Sequence, residues 1–167
     1  AGRDWQNSSD NYLGDVTEGP ASNARRLSAD CATYGIPYKM TGLQMAGYVS
    51  ADKNGAVSES EAAPSDRWNK VEFEKGSAFS DEPDLDDGVV YMDEYVNYLV
   101  KNLGDSTTAT GIQGYNLDNE PVLWSGSHSL LHPNMVSNEE LISKTVGLAK
   151  AVKKIDPHAE TFGPAFW

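Results

Sequence analysis

Apolar residues recur at helical spacing in three places along the 167-residue chain, and between these places they gather into short runs closed by Gly or Pro. Ala24, Leu27, Cys31 and Tyr34 predict a helix from about Ala21 to Tyr34, with Ser22 or Asn23 placed to cap its start and Gly35 to stop it. In "VVYMDEYVNYLVKNLG" the stripe is Met92, Tyr95, Val96, Leu99 and Val100, with Lys101 near the end and Gly104 as a stop. The third stretch, "SNEELISKTVGLAKAVKKIDP", has the strongest helix signals: Ser137 and Glu140 make a capping box, and Lys150, Lys153 and Lys154 crowd the C-terminal turn.

The runs between these stretches read as strands. "IPYKMTGLQMAGYVSA" follows a Gly and a Pro and has no helical stripe, which predicts one buried strand. "RWNKVEFEKGSAF" alternates Trp68, Val71 and Phe73 with charged residues, as a short strand or extended arm does. The apolar run in "GIQGYNLDNEP" is too short for a helix and is closed by Pro121, and "HAETFGPAFW" begins a further strand. Residues 1 to 19 and the acidic stretch from Glu74 to Gly88 read as loop and turn. The order is helix, strand, helix, strand, helix, strand, with long loops after the strands and short ones before them. This predicts an α/β fold with a parallel sheet whose chemistry sits at the strand C-termini.

The densest polar cluster at such a strand end is Asp118, Asn119 and Glu120. A residue before proline is pushed out of the right-handed helical region, so Glu120 is expected to be extended where the strand stops. Trp124, His128 and His132 follow in the loop. A carboxyl walled by aromatic rings has its ionised form disfavoured, which keeps an acid protonated near neutral pH. That suits glycoside hydrolysis, in which a carboxylic acid protonates the leaving oxygen, an amide bonds a sugar hydroxyl and indoles stack on pyranose rings. Spacing alone serves equally well a plain turn at Asp118 and Asn119 with a solvated Glu120.

Composition narrows the partners. The chain is 39% hydrophobic and 23% charged, enough for one domain, and 25 acidic against 13 basic residues give a net charge of −12. That balance argues against a nucleic-acid surface, where Lys and Arg must neutralise phosphates. There is no run of about 18 apolar residues to span a membrane, and "AGRDWQNSSDNYLGD" lacks the basic start and apolar core of a signal peptide. Cys31 has no second cysteine to pair with and reads as a buried structural thiol.

The stretch "GYNLDNEPVLWSGSHSLLHPN" resembles the strand and loop that carry the catalytic acid in glycoside hydrolase family 44, the endoglucanase and xyloglucanase family. The likeness continues, in the family's order, through "MAGYVSADKNG", "RWNKVEFEKGSAFS", "VVYMDEYVNYLVKNLG" and "AKAVKKIDPHAETFGP". This collinearity is far more specific than the short Asn-Glu-Pro signature. The resemblance implies that residues 1–167 are the central part of a (β/α)8 TIM-barrel catalytic domain, with about three of the eight strands and both ends truncated. It implies a retaining endo-β-1,4-glucanase acting on a β-glucan polysaccharide, secreted from the cell and using no cofactor. Glu120 becomes the general acid/base, Asn119 its substrate-contacting neighbour, and Trp124, His128 and His132 the residues that shape the subsites.

Retention needs a second carboxylate about 5 to 5.5 Å from the first. By the resemblance this nucleophile lies on a later strand, beyond Trp167. Glu139 and Glu140 are explained by capping, and Glu160 begins its strand on the side away from the mouth. The chain alone is therefore expected to be inactive, and aggregation-prone until the rest of the barrel covers its edges and apolar face. The competing readings are a non-catalytic carbohydrate-binding module, which predicts an all-β pattern of short strands that the three helices speak against, a non-catalytic binding remnant, and an inert structural fragment without sugar affinity. "DKNG" at 52–55 and "DLDDG" at 84–88 look like pieces of calcium loops but lack the full ligand series, which favours turns. His128 and His132 have zinc-like spacing without a third ligand. Trp5, Trp68 and Trp167 are each either a sugar platform or packing.

Overall fold

A computed structural model describes residues 20–52, 55–84 and 86–166. Helix α1 (Ser22–Tyr34) ends where Gly35 turns left-handed (φ 67) and the Ile36 N–H reaches the Cys31 carbonyl at 2.8 Å, a closure that glycine makes without steric cost. Its start differs from the expectation: Ala21, itself left-handed, occupies the cap position, and no side chain caps the helix. Its buried stripe also differs. Ala24, Ser28 and Cys31 face inward, whereas Leu27 and Tyr34 face out. The three inward side chains are small, and Ser28 Oγ donates to the Thr110 carbonyl at 2.7 Å, so this face packs by close approach rather than by bulk.

The single strand expected over residues 36–51 is two strands. β1 (Met40–Leu43) and β2 (Tyr48–Ser50) are separated by a break at Gln44–Gly47 and belong to different sheets. The break has a physical cause: Gly47 sits at φ 112, and the Met45 and Ala46 N–H groups bond a carboxylate instead of a neighbouring strand. β3 (Trp68–Glu72) forms as expected. β4 (Val89–Tyr91) takes the first three residues of the stretch expected to be wholly helical, where two consecutive valines favour extended backbone. α2 then runs over Met92–Leu103 and buries Met92, Val96 and Leu99.

β5 (Gly114–Leu117) leads through a 3-10 turn (Pro121–Leu123) into the single helical turn α3 (Trp124–Ser127). α4 (Asn138–Ile155) follows, and then β6 (Glu160–Phe162). Ser137 caps α4 by accepting from the Glu140 N–H, which is one half of the expected box. The other half is not made, because the Glu140 side chain bonds His132 and Lys144.

The main sheet has the order β1-β5-β6 and is parallel throughout, so it is the three-strand arc that the helix-strand alternation predicts. A second sheet, β2-β3-β4, fills the long excursion after β1; β2 and β3 pair antiparallel, β3 and β4 parallel. The three substantial helices rule out the all-β pattern of a binding module.

The register sorts the faces of the main sheet. Leu43, paired with Leu117, and Tyr115, on the same face, point into the core that also holds Val96, Leu99, Leu148 and Val152. The opposite face carries Met40, Gly114 and Glu160 in one row and Gly42, Asn116 and Phe162 in the next. Met40 is 48% and Phe162 42% exposed, so this face of the sheet has no covering layer among the described residues. At its lower end the Tyr38 hydroxyl donates to Glu160 at 2.5 Å, and burial together with that carboxylate pushes the phenol up to about 12. Among the described residues, no helix is long and apolar enough to cross a membrane.

Candidate active site

β5 is the central strand, and its C-terminal end is built from two left-handed residues on either side of one extended one. Asp118 has φ 69, Asn119 continues the sheet as an isolated parallel bridge to Ala165, and Glu120 has φ 44 and ψ 54. The extended backbone expected for Glu120 is therefore corrected. Proline excludes the right-handed region, and within this one residue the chain must pass from a strand into the 3-10 turn. The Glu120 N–H still serves the sheet by donating to Ala165 O at 2.8 Å, while its carbonyl accepts from Leu123 N at 2.8 Å. Non-glycine residues in this region cost about 1–2 kcal/mol each and persist only where their surroundings hold them.

The holding contacts are explicit. Asp118 does not stand at the mouth with its neighbours. Its Oδ2 accepts from Met45 N (2.5 Å) and Ala46 N (3.0 Å), and its Oδ1 accepts from Asn119 N (2.8 Å). Burial pushes this carboxyl up, against the pull of those three N–H donors and of the Lys144 charge. Asn119 is left exposed, with its Nδ2 donating to Glu120 Oε2 at 3.1 Å. This amide and carboxylate, side by side at the end of the middle strand, are the only members of the predicted site that face outward together.

Trp124 lies beneath them. It is 1% exposed, and its indole N–H donates to the Asn119 carbonyl at 3.0 Å. A ring so deeply buried cannot lay its face on a sugar, and it acts on the site through the Asn119 backbone. His132 is buried against it, with ring centroids 5.1 Å apart; its Nδ1 meets the Asn134 carbonyl (2.8 Å) and its Nε2 meets Glu140 Oε1 (2.9 Å). Both ring nitrogens are thus engaged, one within the loop and one by the first turn of α4. His128 is half-buried, its carbonyl accepts from the N–H groups of Leu131 and His132, and burial pushes its imidazole below the ordinary value.

Lys144, on the second turn of α4, escapes the sequence reading altogether. Its ammonium pairs with Glu140 (3.0 Å), donates to Met45 O (3.1 Å) and lies 5.6 Å from the centre of the Trp124 ring. The sequence signal was the i,i+4 pair Glu140–Lys144, which reads as a surface pair when considered alone.

The remaining candidates lie elsewhere. Glu160 is at the N-terminal end of its strand, opposite Gly114, and so at the far end of the sheet from Glu120. Glu139 is exposed in the first turn of α4. Trp68 is core, with its indole donating to the Glu61 carbonyl at 2.8 Å; Trp5 and Trp167 lie outside the described residues. Lys53, Asn54 and Leu85 of the two acidic loops do as well. In those loops Asp52 holds the Arg67 guanidinium, and Asp84 and Asp87 bond N–H groups two residues on, as turns do.

Comparison with known proteins gives the family and the fold. The family profile described as Glycoside hydrolase family 44 matches residues 1–167. The chain is 50% identical over its whole length to Endoglucanase A of Paenibacillus lautus, of which it covers 25%. It superimposes on a family 44 endoglucanase from Clostridium thermocellum with a TM-score of 0.90 at 51% identity, covering 95% of this chain and 31% of that one. A Paenibacillus polymyxa xyloglucanase of the family, solved with xyloglucan, gives 0.90 at 45% identity, covering 99% and 34%. The chain spans a quarter to a third of the length of these relatives.

Proposed function

The chain belongs to glycoside hydrolase family 44, and from that premise we propose that it carries the acid/base half of an endo-β-1,4-glucanase site, with Glu120 as proton donor and Asn119 as its partner on the substrate. The observation that carries the reading is the Asn119 Nδ2 to Glu120 Oε2 hydrogen bond at the C-terminal end of the middle parallel strand. In that position the Glu120 carboxyl delivers a proton to the glycosidic oxygen as the bond to the anomeric carbon breaks. The Asn119 amide orients the carboxyl and is close enough to bond a hydroxyl of the same sugar. Stabilisation of the oxocarbenium-like transition state, and retention of configuration, require a second carboxylate on the opposite face of the ring. Glu160 stands at the opposite end of the sheet from Glu120, and Glu139 lies exposed in the first turn of α4 rather than at a strand end.

On this reading residues 1–167 form the central part of a larger (β/α)8 domain, the substrate is a β-glucan such as cellulose or xyloglucan, and the enzyme works outside the cell, where that polymer is found. The remaining strands pair with the edges at β1 and β6, and the uncovered face, with Met40 and Phe162, becomes the inside of the barrel.

The test uses a hybrid in which residues 1–167 replace the matching third of the Clostridium thermocellum relative. The hybrid should hydrolyse carboxymethylcellulose or xyloglucan, and Glu120→Gln should lower kcat/KM by about 10²- to 10⁴-fold, the usual contribution of a general acid. The purified 167-residue chain should show no hydrolysis. Activity in that chain, lost on Glu120→Gln, would overturn the expectation that the nucleophile lies elsewhere. Retardation of the chain in a gel containing soluble β-glucan, without hydrolysis, is the result that a binding remnant gives.

A further inference from the structure

We propose that Lys144 is the positioning residue of the site, holding Glu120 in register through two separate arms that meet at its ammonium group. The proposal rests on Glu120 being the acid, and it adds why Glu120 is held where it is.

The first arm is the peptide of Met45 and Ala46. Lys144 Nζ donates to the carbonyl of Met45 (3.1 Å) and approaches that of Ala46 (3.5 Å), while Asp118 Oδ2 takes the N–H groups of the same two residues. The segment is therefore gripped on its carbonyl side by a cation and on its amide side by an anion. Through it Lys144 fixes Asp118, the left-handed residue before Asn119.

The second arm is the Trp124 ring. The ammonium lies over it at 5.6 Å, His132 packs against the same ring, and Glu140 joins Lys144 (3.0 Å) to His132 (2.9 Å). The indole N–H in turn fixes the Asn119 carbonyl. Asn119 is thus pinned by its own carbonyl and through its predecessor, and Glu120 follows it by one peptide and one side-chain hydrogen bond. Because Asp118 and Glu120 both hold left-handed backbone, their geometry relaxes once these restraints weaken. Lys144 touches both arms. Its own side chain is 23% exposed, so its attraction to Glu140 is only partly screened.

A misplaced acid has a signature that general destabilisation lacks. Substrates whose leaving group needs no proton are indifferent to the acid, whereas unactivated glycosides are not. In the hybrid barrel, Lys144→Met should lower kcat/KM on unactivated cello-oligosaccharides by about 10- to 100-fold, the range expected for a displacement of about 1 Å. On 2,4-dinitrophenyl cello-oligosaccharides the loss should be at least about fivefold smaller, because they need no proton and feel only the displacement of Asn119. Lys144→Arg, which keeps the charge, should restore most of the loss. Should Lys144→Met fail to fold, Glu140→Gln, which releases both Lys144 and His132, is expected to give the same split.

Equal loss on both substrates, or no loss on either, overturns the positioning role. Glu120→Gln serves as the parallel control. If it leaves the unactivated substrates untouched, Glu120 is not the acid and the underlying reading fails; if it abolishes their hydrolysis while Lys144→Met shows no split, only the positioning role fails.

Discussion

The indole N–H of Trp124 donates to the carbonyl of Asn119 at 3.0 Å, which makes the tryptophan a support for the site rather than a wall of it. Trp124→Phe keeps most of the ring and removes the donor, leaving an acceptor that the protein had satisfied. The expected cost is about 1–3 kcal/mol in the unfolding free energy of the hybrid barrel. In kinetics the two roles separate: a support lowers kcat with little change in KM, whereas a sugar platform raises KM. A change confined to KM would return Trp124 to the substrate face.

Asp118 accepts three backbone N–H groups, those of Met45, Ala46 and Asn119, and so acts on the backbone before Glu120 rather than on the substrate. Asp118→Ala should therefore destabilise the hybrid by about 2–3 kcal/mol, as expected where N–H groups lose a charged acceptor. Hydrogen exchange at Met45, Ala46 and Asn119 should rise before exchange in α2 does. Unchanged protection at those three amides would contradict the bonding described.

For Glu140 burial acts to raise the carboxyl's pKa, but the hydrogen bonds from His132 and Lys144 and the lysine charge outweigh it, and the group is held below the ordinary glutamate value. A lowered pKa means that the folded state binds this proton less readily than the unfolded state. The stabilisation is accordingly present above the unfolded value of about 4.3 and is lost as pH falls through the lower folded value. Thermal melts of wild type and Glu140→Gln should thus differ at pH 6 and converge as pH is lowered past that point. A difference that is constant down to pH 2 would assign the effect to packing instead.

Gly163 adopts φ 100, and a Cβ there would stand 2.7 Å from Asn116 Oδ1 and 2.9 Å from the Ala165 nitrogen. Ala165 is the residue whose carbonyl receives the Glu120 N–H. Gly163→Ala should therefore cost about 1–3 kcal/mol and lower activity as well as stability, since relief of the clash displaces the partner of Glu120. An alanine variant with wild-type melting and turnover would show that this turn has more room than its geometry indicates.

Met40 and Phe162 lie exposed on the sheet face that lacks a covering layer. Replacing both by Thr in the isolated chain should reduce aggregation, read as light scattering over time. The same replacement in the hybrid should destabilise it, because there the two side chains are expected to be core. A variant equally soluble and equally stable in both settings would place the barrel interior elsewhere.

The parallel sheet was legible because helix and strand periods alternate so regularly, and the place of Glu120 at a strand end because Pro121 closes the short apolar run before it. Four things were not legible, each for a definite reason. The break between β1 and β2 depends on Asp118 claiming the Met45 and Ala46 N–H groups, a contact across 73 residues that no local pattern records. β4 was hidden because Val89–Tyr91 continue smoothly into an apolar helix stripe. Lys144 was hidden because a lysine four residues after a glutamate has the same sequence signature whether it lies in solvent or under an active site. The direction of the Trp124 ring was equally invisible, since aromatic residues near a site serve as platforms and as supports alike.

The bond from Asp118 to Met45 also bears on the order in which the protein is made. On a ribosome the Met45 and Ala46 amides emerge well before their acceptor, and at about 5–20 residues per second the gap of 73 residues corresponds to roughly 4 to 15 s. Lys144, which holds the carbonyls of the same peptide, arrives later still. Through that interval the segment after β1 has neither its anion nor its cation, and β1 lacks β5, the strand it pairs with. The nascent chain must carry an open strand and an unclaimed loop until Asp118, and after it Lys144, have been translated.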